Sequence, residues 1–377
     1  MSASEIKWVR LGDYIEQCDK RNSDGTLTVT DVQGISTDKC FISTKANLDG
    51  VSVLSYKIVA QSEFAYVADT SRRGDKIALA LNLFDKYILI SSIYTVFRSI
   101  DKDALLPEYL FLMLNRPEFD RYSRFNSWGS ARETFDWSEM ERVQIPLPSI
   151  EVQRELVATY NGLKTLAEQN EALIPRLSAA CQAYIVDCCV KYPSVKLGEY
   201  ISVDDITNSE NRDLEFLGIN INKEFMPTSA TTEGLNKQKY KVLTKGRFVF
   251  SGMQTGRDVA IRIGLYSEDA DALISPAYTT FSIAKDKHDK LLPEYLFLQF
   301  NRTESDRLGW FYSDGSIRSN LDWSRFCEFQ IPLPSLDVQQ AIVDVYRCME
   351  RAQYIASQAR EKLKTLCPAL VQRAAHS

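Results

Sequence analysis

The sequence has little of what most enzymes place at an active site. Only two histidines, His288 and His376, occur in 377 residues, which disfavours histidine-dependent nucleophilic sites and zinc–histidine sites. Neither a GxxxxGK[ST] phosphate loop nor a GxGxxG turn after a strand is present. We therefore predict a non-catalytic chain that binds no metal and holds no cofactor of its own.

Other features that the sequence lacks limit the class of protein to which it can belong. The chain shows no secretory signal, and no unbroken apolar run approaches the roughly 18 residues that span a bilayer. We therefore expect a cytoplasmic protein without a membrane partner. The eight cysteines form no CxxC pair and are interpreted as reduced thiols. The net charge of −5 argues against coating of nucleic acid through bulk charge, but leaves binding through local basic loops open.

What the chain does contain is a long internal repeat. The segment LPEYLFLMLNRPEFDR from Leu106 returns as LPEYLFLQFNRTESDR from Leu292, 186 residues later. Between Leu106–Tyr160 and Leu292–Tyr346, 30 of 55 positions are identical without a gap. Upstream the offset falls to 184, because LISSIYTVF from Leu89 returns as LISPAYTTF from Leu273. The repeat predicts two like units with a pseudo-two-fold relationship, which suit a bipartite partner such as double-stranded DNA.

Each unit divides into a β-rich part and a helical part. We predict α/β (α+β) domains over residues 1–148 and 193–334, each with an amphipathic helix, at Pro107–Asn115 and Pro293–Asn301. Helical regions over 149–192 and 335–377 follow the QIPLPS step. Their apolar residues recur at spacings of three, four and seven, which is typical of a coiled coil and favours an antiparallel pair. Packing of each helix on its own domain is the alternative, and Pro175 predicts a kink or a break.

Two repeated motifs carry a resemblance to a known family. They are an IPLP step followed by glutamine, and a G-S-x-R segment ahead of it: Ile145–Pro148 with Gln153, Ile331–Pro334 with Gln339, Gly129–Arg132 and Gly315–Arg318. In this order and at a fixed offset they resemble the specificity (S) subunits of type I restriction–modification systems. The resemblance covers nearly the whole chain, from Leu11 to the C-terminal helix.

The resemblance implies two target-recognition domains, each reading one half of a bipartite DNA sequence. It implies that the helices space the two halves and dock methyltransferase (M) subunits, two in number, with restriction (R) subunits as further partners. S-adenosylmethionine would belong to the methyltransferase subunit. The chain itself would be the non-catalytic part of the complex.

Candidate DNA-binding residues lie in loops that differ between the units or keep one cation among changed neighbours. They are Ser71, Arg72, Arg73, Ser130, Arg132, Thr255, Arg257, Ser316 and Arg318. Arginine and hydroxyl side chains suit guanine edges and phosphates. Because Arg132 and Arg318 are retained in both copies, we expect sequence-independent phosphate contacts. A salt bridge four residues on, to Asp136 or Asp322, is the alternative.

Rival functions remain open at this point. A type IIB-like enzyme, in which one partner both methylates and cuts, needs the same kind of recognition subunit. A tandem-repeat protein-binding scaffold and a free-standing DNA-binding regulator belong to other classes. DNA binding measured with and without a co-purified methyltransferase separates the scaffold and the free-standing regulator from a recognition subunit. The sequence does not give the DNA target, its gap, or which loop residues touch bases and which touch phosphates.

Overall fold

The computed structural model describes residues 7–70, 76–129, 132–228 and 234–376, with side chains as far as residue 366. The chain divides into two compact units. Unit 1 comprises Met1–Gln169 and Ile355–Ser377, and unit 2 comprises Asn170–Tyr354. The second half of the central helical region therefore belongs to unit 2, and the last part of the C-terminal helical region belongs to unit 1. The predicted domain boundaries do not include this division. Those boundaries themselves stay a prediction.

Unit 1 is built mainly from short strands. They are β1 (Lys7–Arg10), β2 (Ile15–Cys18), β3 (Gln33–Ile35), β4 (Phe41–Ser43), β5 (Lys57–Val59), β6 (Phe64–Tyr66), β7 (Leu79–Leu81), β8 (Ile88–Ile90), β9 (Thr95–Ser99) and β10 (Gln144–Leu147). An antiparallel sheet has the order β2-β9-β6-β7, and β1 with β10, β3 with β4 and β5 with β8 form two-stranded pairs. The helices are α1 (Pro107–Leu114), α2 (Pro117–Phe125), α3 (Trp137–Arg142) and the start of α4 (Ile150–Lys191).

Unit 2 repeats this plan. Its strands are β11 (Ser194–Lys196), β12 (Ile201–Val203), β13 (Phe216–Ile219), β14 (Phe225–Pro227), β15 (Lys241–Leu243), β16 (Phe248–Ser251), β17 (Arg262–Leu265), β18 (Ala272–Ile274), β19 (Thr279–Ile283) and β20 (Gln330–Pro332). One antiparallel sheet has the order β12-β19-β16-β17, and a second, β14-β13-β18-β15, contains one parallel pair, β13 with β18. The helices are α5 (Thr255–Asp258), α6 (Pro293–Phe300), α7 (Thr303–Tyr312), α8 (Trp323–Cys327) and α9 (Leu336–His376).

Equivalent aromatic side chains build the cores of both units. Phe64 stacks on Phe97 with ring centroids 4.7 Å apart, and Phe248 stacks on Phe281 at 4.8 Å. All four rings are fully buried. Helices α1 and α6 lay their apolar faces on these cores, and each begins with the predicted proline and ends one residue before the predicted asparagine. The predicted α+β class and these two helices are confirmed.

The glutamine after each IPLP step fixes the start of the following long helix. Gln153 is fully buried; its Oε1 accepts from Leu106 N at 2.9 Å, and its Nε2 donates to Ala104 O and Pro148 O at 2.9 Å. Gln339 makes the same three bonds in unit 2, to Leu292 N, Lys290 O and Pro334 O. These bonds connect the helix, the loop before α1 or α6, and the proline step, and they explain why the motif pairs proline with glutamine.

The QIPLP segments also close each unit. They form β10 and β20, which pair with the first strand of their unit, Lys7 opposite Leu147 and Ser194 opposite Pro332. Each ladder has only two strands, so the prolines can lie with their missing N–H on an unpaired edge. The first strand of each unit therefore pairs with the last strand of the same unit.

The long helices α4 and α9 pack on one another inside each unit. In unit 2, Cys181, Ile185 and Cys188 share a buried cluster with Ile342 and Val343. Residues 184–191 of α4 face residues 337–345 of α9, and residues 178–185 of α4 face residues 346–349 of α9. Residue numbers therefore increase along α4 while they decrease along the facing part of α9. This run is antiparallel, as predicted. The predicted break at Pro175 is wrong, because α4 continues through this residue. Proline removes only one helical N–H donor. The neighbouring turns are held by buried residues on either side of Pro175, namely Ala167 and Cys181.

Helix α4 also has a property that the sequence reading missed. It is long and apolar enough to span a membrane by length and composition, with 17% of the tested window buried. One such helix is weak evidence for a membrane span. The seven described cysteines, all those before Cys367, are free thiols.

Candidate nucleic-acid interface

Two loops of unit 2 that were predicted separately lie side by side. The backbone N of Gly256 donates to Ser319 O at 2.9 Å, and Leu321 N donates to Gly252 O at 2.8 Å. Gln254 N donates to Asn320 Oδ1 at 3.1 Å. Glycine is required at position 256, because a Cβ there would lie 2.1 Å from the Ser319 Oγ. The 252–260 loop and the 313–321 loop therefore form one surface.

Within the 252–260 loop, Thr255 and Arg257 differ sharply. Helix α5 is a single turn between two left-handed residues, Gln254 at φ 60° and Val259 at φ 51°. Thr255 is fully buried, and its hydroxyl donates to Gly252 O at 3.1 Å. The prediction that Thr255 binds DNA is therefore wrong, because its hydroxyl shapes the loop from within. Arg257 is exposed.

In the 313–321 loop the serine closes a turn and the arginine faces solvent. The Ser316 hydroxyl donates to Asp314 Oδ1 at 2.6 Å, and the same oxygen accepts from the backbone N of Ser316 and Asn320. These bonds, first of all that from the Ser316 hydroxyl, hold the pKa of Asp314 below its usual range. Arg318 is exposed and, within the described chain, has no ion-pair partner. The alternative of a salt bridge to Asp322 is thus not realised.

Unit 1 brings the equivalent loops together. Thr70 N donates to Glu133 O at 3.0 Å, and Phe135 N donates to Ala68 O at 2.8 Å. Arg132 is exposed and forms no ion pair with Asp136 or any other described residue. Gly129 lies at φ 141°, where a Cβ would lie 2.1 Å from Arg132 O. Ser71, Arg72, Arg73 and Ser130 lie outside the described residues.

A buried ion pair, missed at the sequence level, anchors the recognition loop in each unit. Lys39 Nζ lies 2.8 Å from Asp120 Oδ1, and Lys223 Nζ lies 2.8 Å from Asp306 Oδ2. The carboxylates also accept from the backbone N of Ile77 and Ile261, at 3.2 and 2.9 Å, where the loops end. Burial lowers the pKa of Lys39. Lys39 and Lys223 are 184 residues apart, which is the upstream offset of the repeat. This shared position could have identified the two lysines in the sequence.

Exposed aromatic side chains at these loops were also missed. Phe125 ends α2 and Phe311 lies in the last turn of α7; they are 79% and 74% exposed. They are 186 residues apart and so occupy the same position of the repeat. Each unit adds an exposed tryptophan near this phenylalanine, Trp128 at 62% and Trp310 at 55%. Large apolar side chains at this exposure mark binding surfaces when they cluster.

Together these features define one exposed surface in each unit. It combines arginine side chains on the loops with a phenylalanine in the last turn of the helix whose aspartate holds the loop. Among the described residues, no cluster of histidine, cysteine and carboxylate side chains is placed to hold a metal ion. The two units share the supporting bonds but differ in the loop residues that face solvent. The arrangement is therefore that of two related surfaces on a common support.

Comparison with known proteins gives the family. The family model "Type I restriction modification DNA specificity domain" matches residues 194–364. The chain has the fold of the type I restriction–modification S subunit from M. genitalium, at 12% identity and a TM-score of 0.56, over 99% of this chain and 97% of that chain. Residues 194–364 therefore belong to the DNA specificity domains of type I restriction–modification systems, and the whole chain shares the fold of an S subunit.

Two further solved structures are similar over the same extent at lower TM-scores. The HsdS subunit from Thermoanaerobacter tengcongensis has 18% identity and a TM-score of 0.42, with 99% and 97% of the two chains covered. A chain from a study of complex assembly in the type I R-M system has 17% identity and a TM-score of 0.38, with 98% and 97% covered. No curated protein is significantly similar in sequence.

Proposed function

We propose that this chain is the non-catalytic specificity subunit of a type I restriction–modification complex in which each unit reads one half of a bipartite DNA target. One observation carries the proposal: the same scaffold supports different exposed loop residues in the two units. Base edges in the major groove present different donor and acceptor patterns for different sequences. Two readers of different half-sites therefore need a common support and unlike loops.

The unpaired arginines supply the attraction to DNA. Arg132, Arg257 and Arg318 are exposed, and none has an ion-pair partner in the described part of the chain. The whole chain is acidic, with a net charge of −5, so these three unpaired side chains are local positive charges on a negative molecule. Such placement favours contact with a polyanion at the loops and discourages binding elsewhere.

The long helices are proposed to dock the partner subunits. Helix α4 leaves Tyr184, Val186 and Val190 between 52% and 83% exposed in unit 2. A cavity of about 390 Å³ opens beside them, lined mainly by apolar residues of α4 and α9. Apolar side chains on a long helix suit a protein partner. We propose two methyltransferase subunits here, which would bring S-adenosylmethionine, together with restriction subunits and a cytoplasmic location for the complex.

Replacing residues 1–148 with the recognition domain of a related chain should change one half of the methylated motif and leave the other half intact. Each domain closes on itself through β1 with β10 or β11 with β20, so the replaced part needs no strand from elsewhere. The measurement is sequencing of methylated bases in cells carrying the chimera. The matched chimera at 193–334 should change the other half. A motif altered in both halves, or in neither, contradicts the modular reading.

Arg318→Ala should weaken binding to every duplex alike, whereas Arg257→Ala should relax discrimination at one base pair. A phosphate contact contributes equally to all sequences, and its loss reduces the salt dependence of binding by about one unit. A bidentate guanine contact contributes about 1–3 kcal/mol of discrimination. Affinity for duplexes with single substitutions, measured at several salt concentrations, separates the two roles. Arg132→Ala and Arg73→Ala are the counterparts in unit 1.

A result in which Arg318→Ala alters sequence preference at an unchanged salt slope reverses this assignment. Lys245→Ala is a matched control, because this exposed cation is already paired with Asp269 at 2.7 Å. It should change neither the salt slope nor the preference. Binding of the wild-type chain with and without the methyltransferase subunit also tests the rival functions of scaffold and free-standing regulator.

A further inference from the structure

We propose that Phe125 and Phe311 are DNA-inserting residues, one in each unit, whose rings press into a base step beside the loop arginines. The proposal rests on the proposed DNA-reading function and deepens it by assigning a contact that is not electrostatic. Inserted phenylalanine side chains partly unstack a base step and kink the duplex. Because stacking tolerates any base, such a contact suits both half-sites.

The first support is that neither ring packs in the core of its own unit. Phe125 and Phe311 are 79% and 74% exposed, and neither belongs to the buried apolar cluster of its unit. Tyrosines on the same helices are used differently: the ring of Tyr312, which the Phe311 ring meets edge-on at 5.4 Å, packs on Phe329 at 5.7 Å, and Tyr122 packs on Phe135 at 6.1 Å. Each helix thus packs a tyrosine on its core and leaves a phenylalanine largely in water, where an apolar ring of this size is unfavourable.

The second support is the comparison of the two copies. The residues flanking the phenylalanine change between units, from Arg124 and Asn126 to Trp310 and Tyr312, while the ring itself is kept. A side chain that read one base would be expected to change with the half-site. An exposed ring present in both copies therefore points to a contact that both half-sites share.

The third support is the location of the helix ends. Helix α7 packs on the 252–260 loop, because a Cβ at Gly309 would lie 2.5 Å from Ile261 and 3.2 Å from Thr255. The same helix carries Asp306, whose carboxylate holds Ile261 N. In unit 1, Asp120 of α2 holds Ile77 N in the same way. The phenylalanine thus ends a helix that is fastened to the loop with the proposed DNA contacts.

Charge at the loops favours DNA over a protein partner as the occupant. The arginines of these loops, Arg132, Arg257 and Arg318, have no carboxylate partner within the described residues. The one acid of the 313–321 loop, Asp314, is engaged in the turn by three hydrogen bonds. An apolar ring on a helix that adjoins loops with unpaired guanidinium groups matches a stack of bases bordered by phosphates.

The test uses the chain co-purified with its methyltransferase subunit and duplexes that carry the methylated motif found in the host. Phe311→Ala and Phe125→Ala should each weaken binding about tenfold, for cognate and substituted duplexes alike. The salt slope should stay unchanged, since no charge is removed. Phe311→Leu should keep most of the affinity, because leucine also acts as a wedge.

The fluorescence of 2-aminopurine placed at successive steps reports insertion directly. Binding of the wild-type complex should raise the signal at one step in each half-site, away from the base that is methylated. Phe125→Ala should abolish the rise in one half-site only, and Phe311→Ala in the other. Ile93→Ala is the matched control: Ile93 is 78% exposed, is alanine at the repeat position (Ala277), and its replacement should change neither readout.

Three results overturn the inference. They are unchanged affinity and fluorescence in both alanine variants, loss of the methyltransferase subunit with intrinsic DNA binding intact, and altered preference at one base pair in place of a uniform loss. Because the rings are exposed, the variants should unfold at the wild-type temperature, so misfolding does not imitate the effect. A wild-type complex that fails to bind the motif overturns the proposed function as well, and so separates the two failures.

Discussion

Replacing Asp306 with alanine should lower the free energy of unfolding of unit 2 by about 3–5 kcal/mol. The change leaves the ammonium of Lys223 without its carboxylate, and the Lys223 side chain is only 8% exposed. It also leaves Ile261 N, which now donates to Asp306 Oδ1 at 2.9 Å, without an acceptor. A buried charge without a partner costs far more than the pair itself contributes. Asp120→Ala should do the same in unit 1.

Urea unfolding measures this loss, and hydrogen exchange of peptides from residues 194–335 assigns it to unit 2. Asp269→Ala is the matched control, because its ion pair with Lys245 is exposed and should contribute no more than about 1 kcal/mol. Replacing both partners, Lys223→Met with Asp306→Leu, should recover most of the stability. If Asp306→Ala and Asp269→Ala behave alike, the pair is not buried in solution.

Gln339→Ala should lower the free energy of unfolding by about 2–4 kcal/mol. Three backbone groups, Leu292 N, Lys290 O and Pro334 O, lose their partner at once, in one buried and two partly buried hydrogen bonds. A fully buried group left unsatisfied costs about 1–3 kcal/mol. The start of α9 should also loosen on its domain, which faster hydrogen exchange in residues 336–342 would report.

Gln340→Ala provides the control for this change. It removes the same kind of side chain one position later in the same helix, where the amide makes one exposed bond to Asp344 at 2.8 Å. Its expected effect is below about 0.5 kcal/mol. Equal effects of the two alanines would mean that the glutamine of the motif is not a fastening point.

The sequence predicted the parts of the fold that repeat and are local. The offset of 186 gave two like units, the spacing of prolines gave α1 and α6, and the apolar periodicity gave the long helices. It did not give the pairing of β1 with β10, because Lys7 and Leu147 meet across the whole domain. The QIPLP segment was predicted only to end the globular part of each unit, because its two prolines argue against a strand.

The candidate DNA contacts stay a prediction, and the side chains whose surroundings the sequence did not show share a physical cause. Residue type shows what a side chain can bind but not whether a neighbour already uses it. The hydroxyls of Thr255 and Ser316 bond within their own loops, whereas Arg257 and Arg318 have no ion-pair partner among the described residues. Lys39 is buried although lysine is usually exposed, and Phe125 is exposed although phenylalanine is usually buried. Long-range neighbours decide all of these positions.

The division of the chain also sets an order of completion during synthesis. Unit 1 holds residues up to Gln169 together with Ile355–Ser377, so its helical part lacks a partner until the residues from Ile355 onward have been synthesised. Tyr160 and Leu363, about 200 residues apart, line one cavity there. Contacts of such sequence separation form slowly. Unit 2 can be completed as soon as Tyr354 emerges, so the domain that is translated first is the one that is completed last.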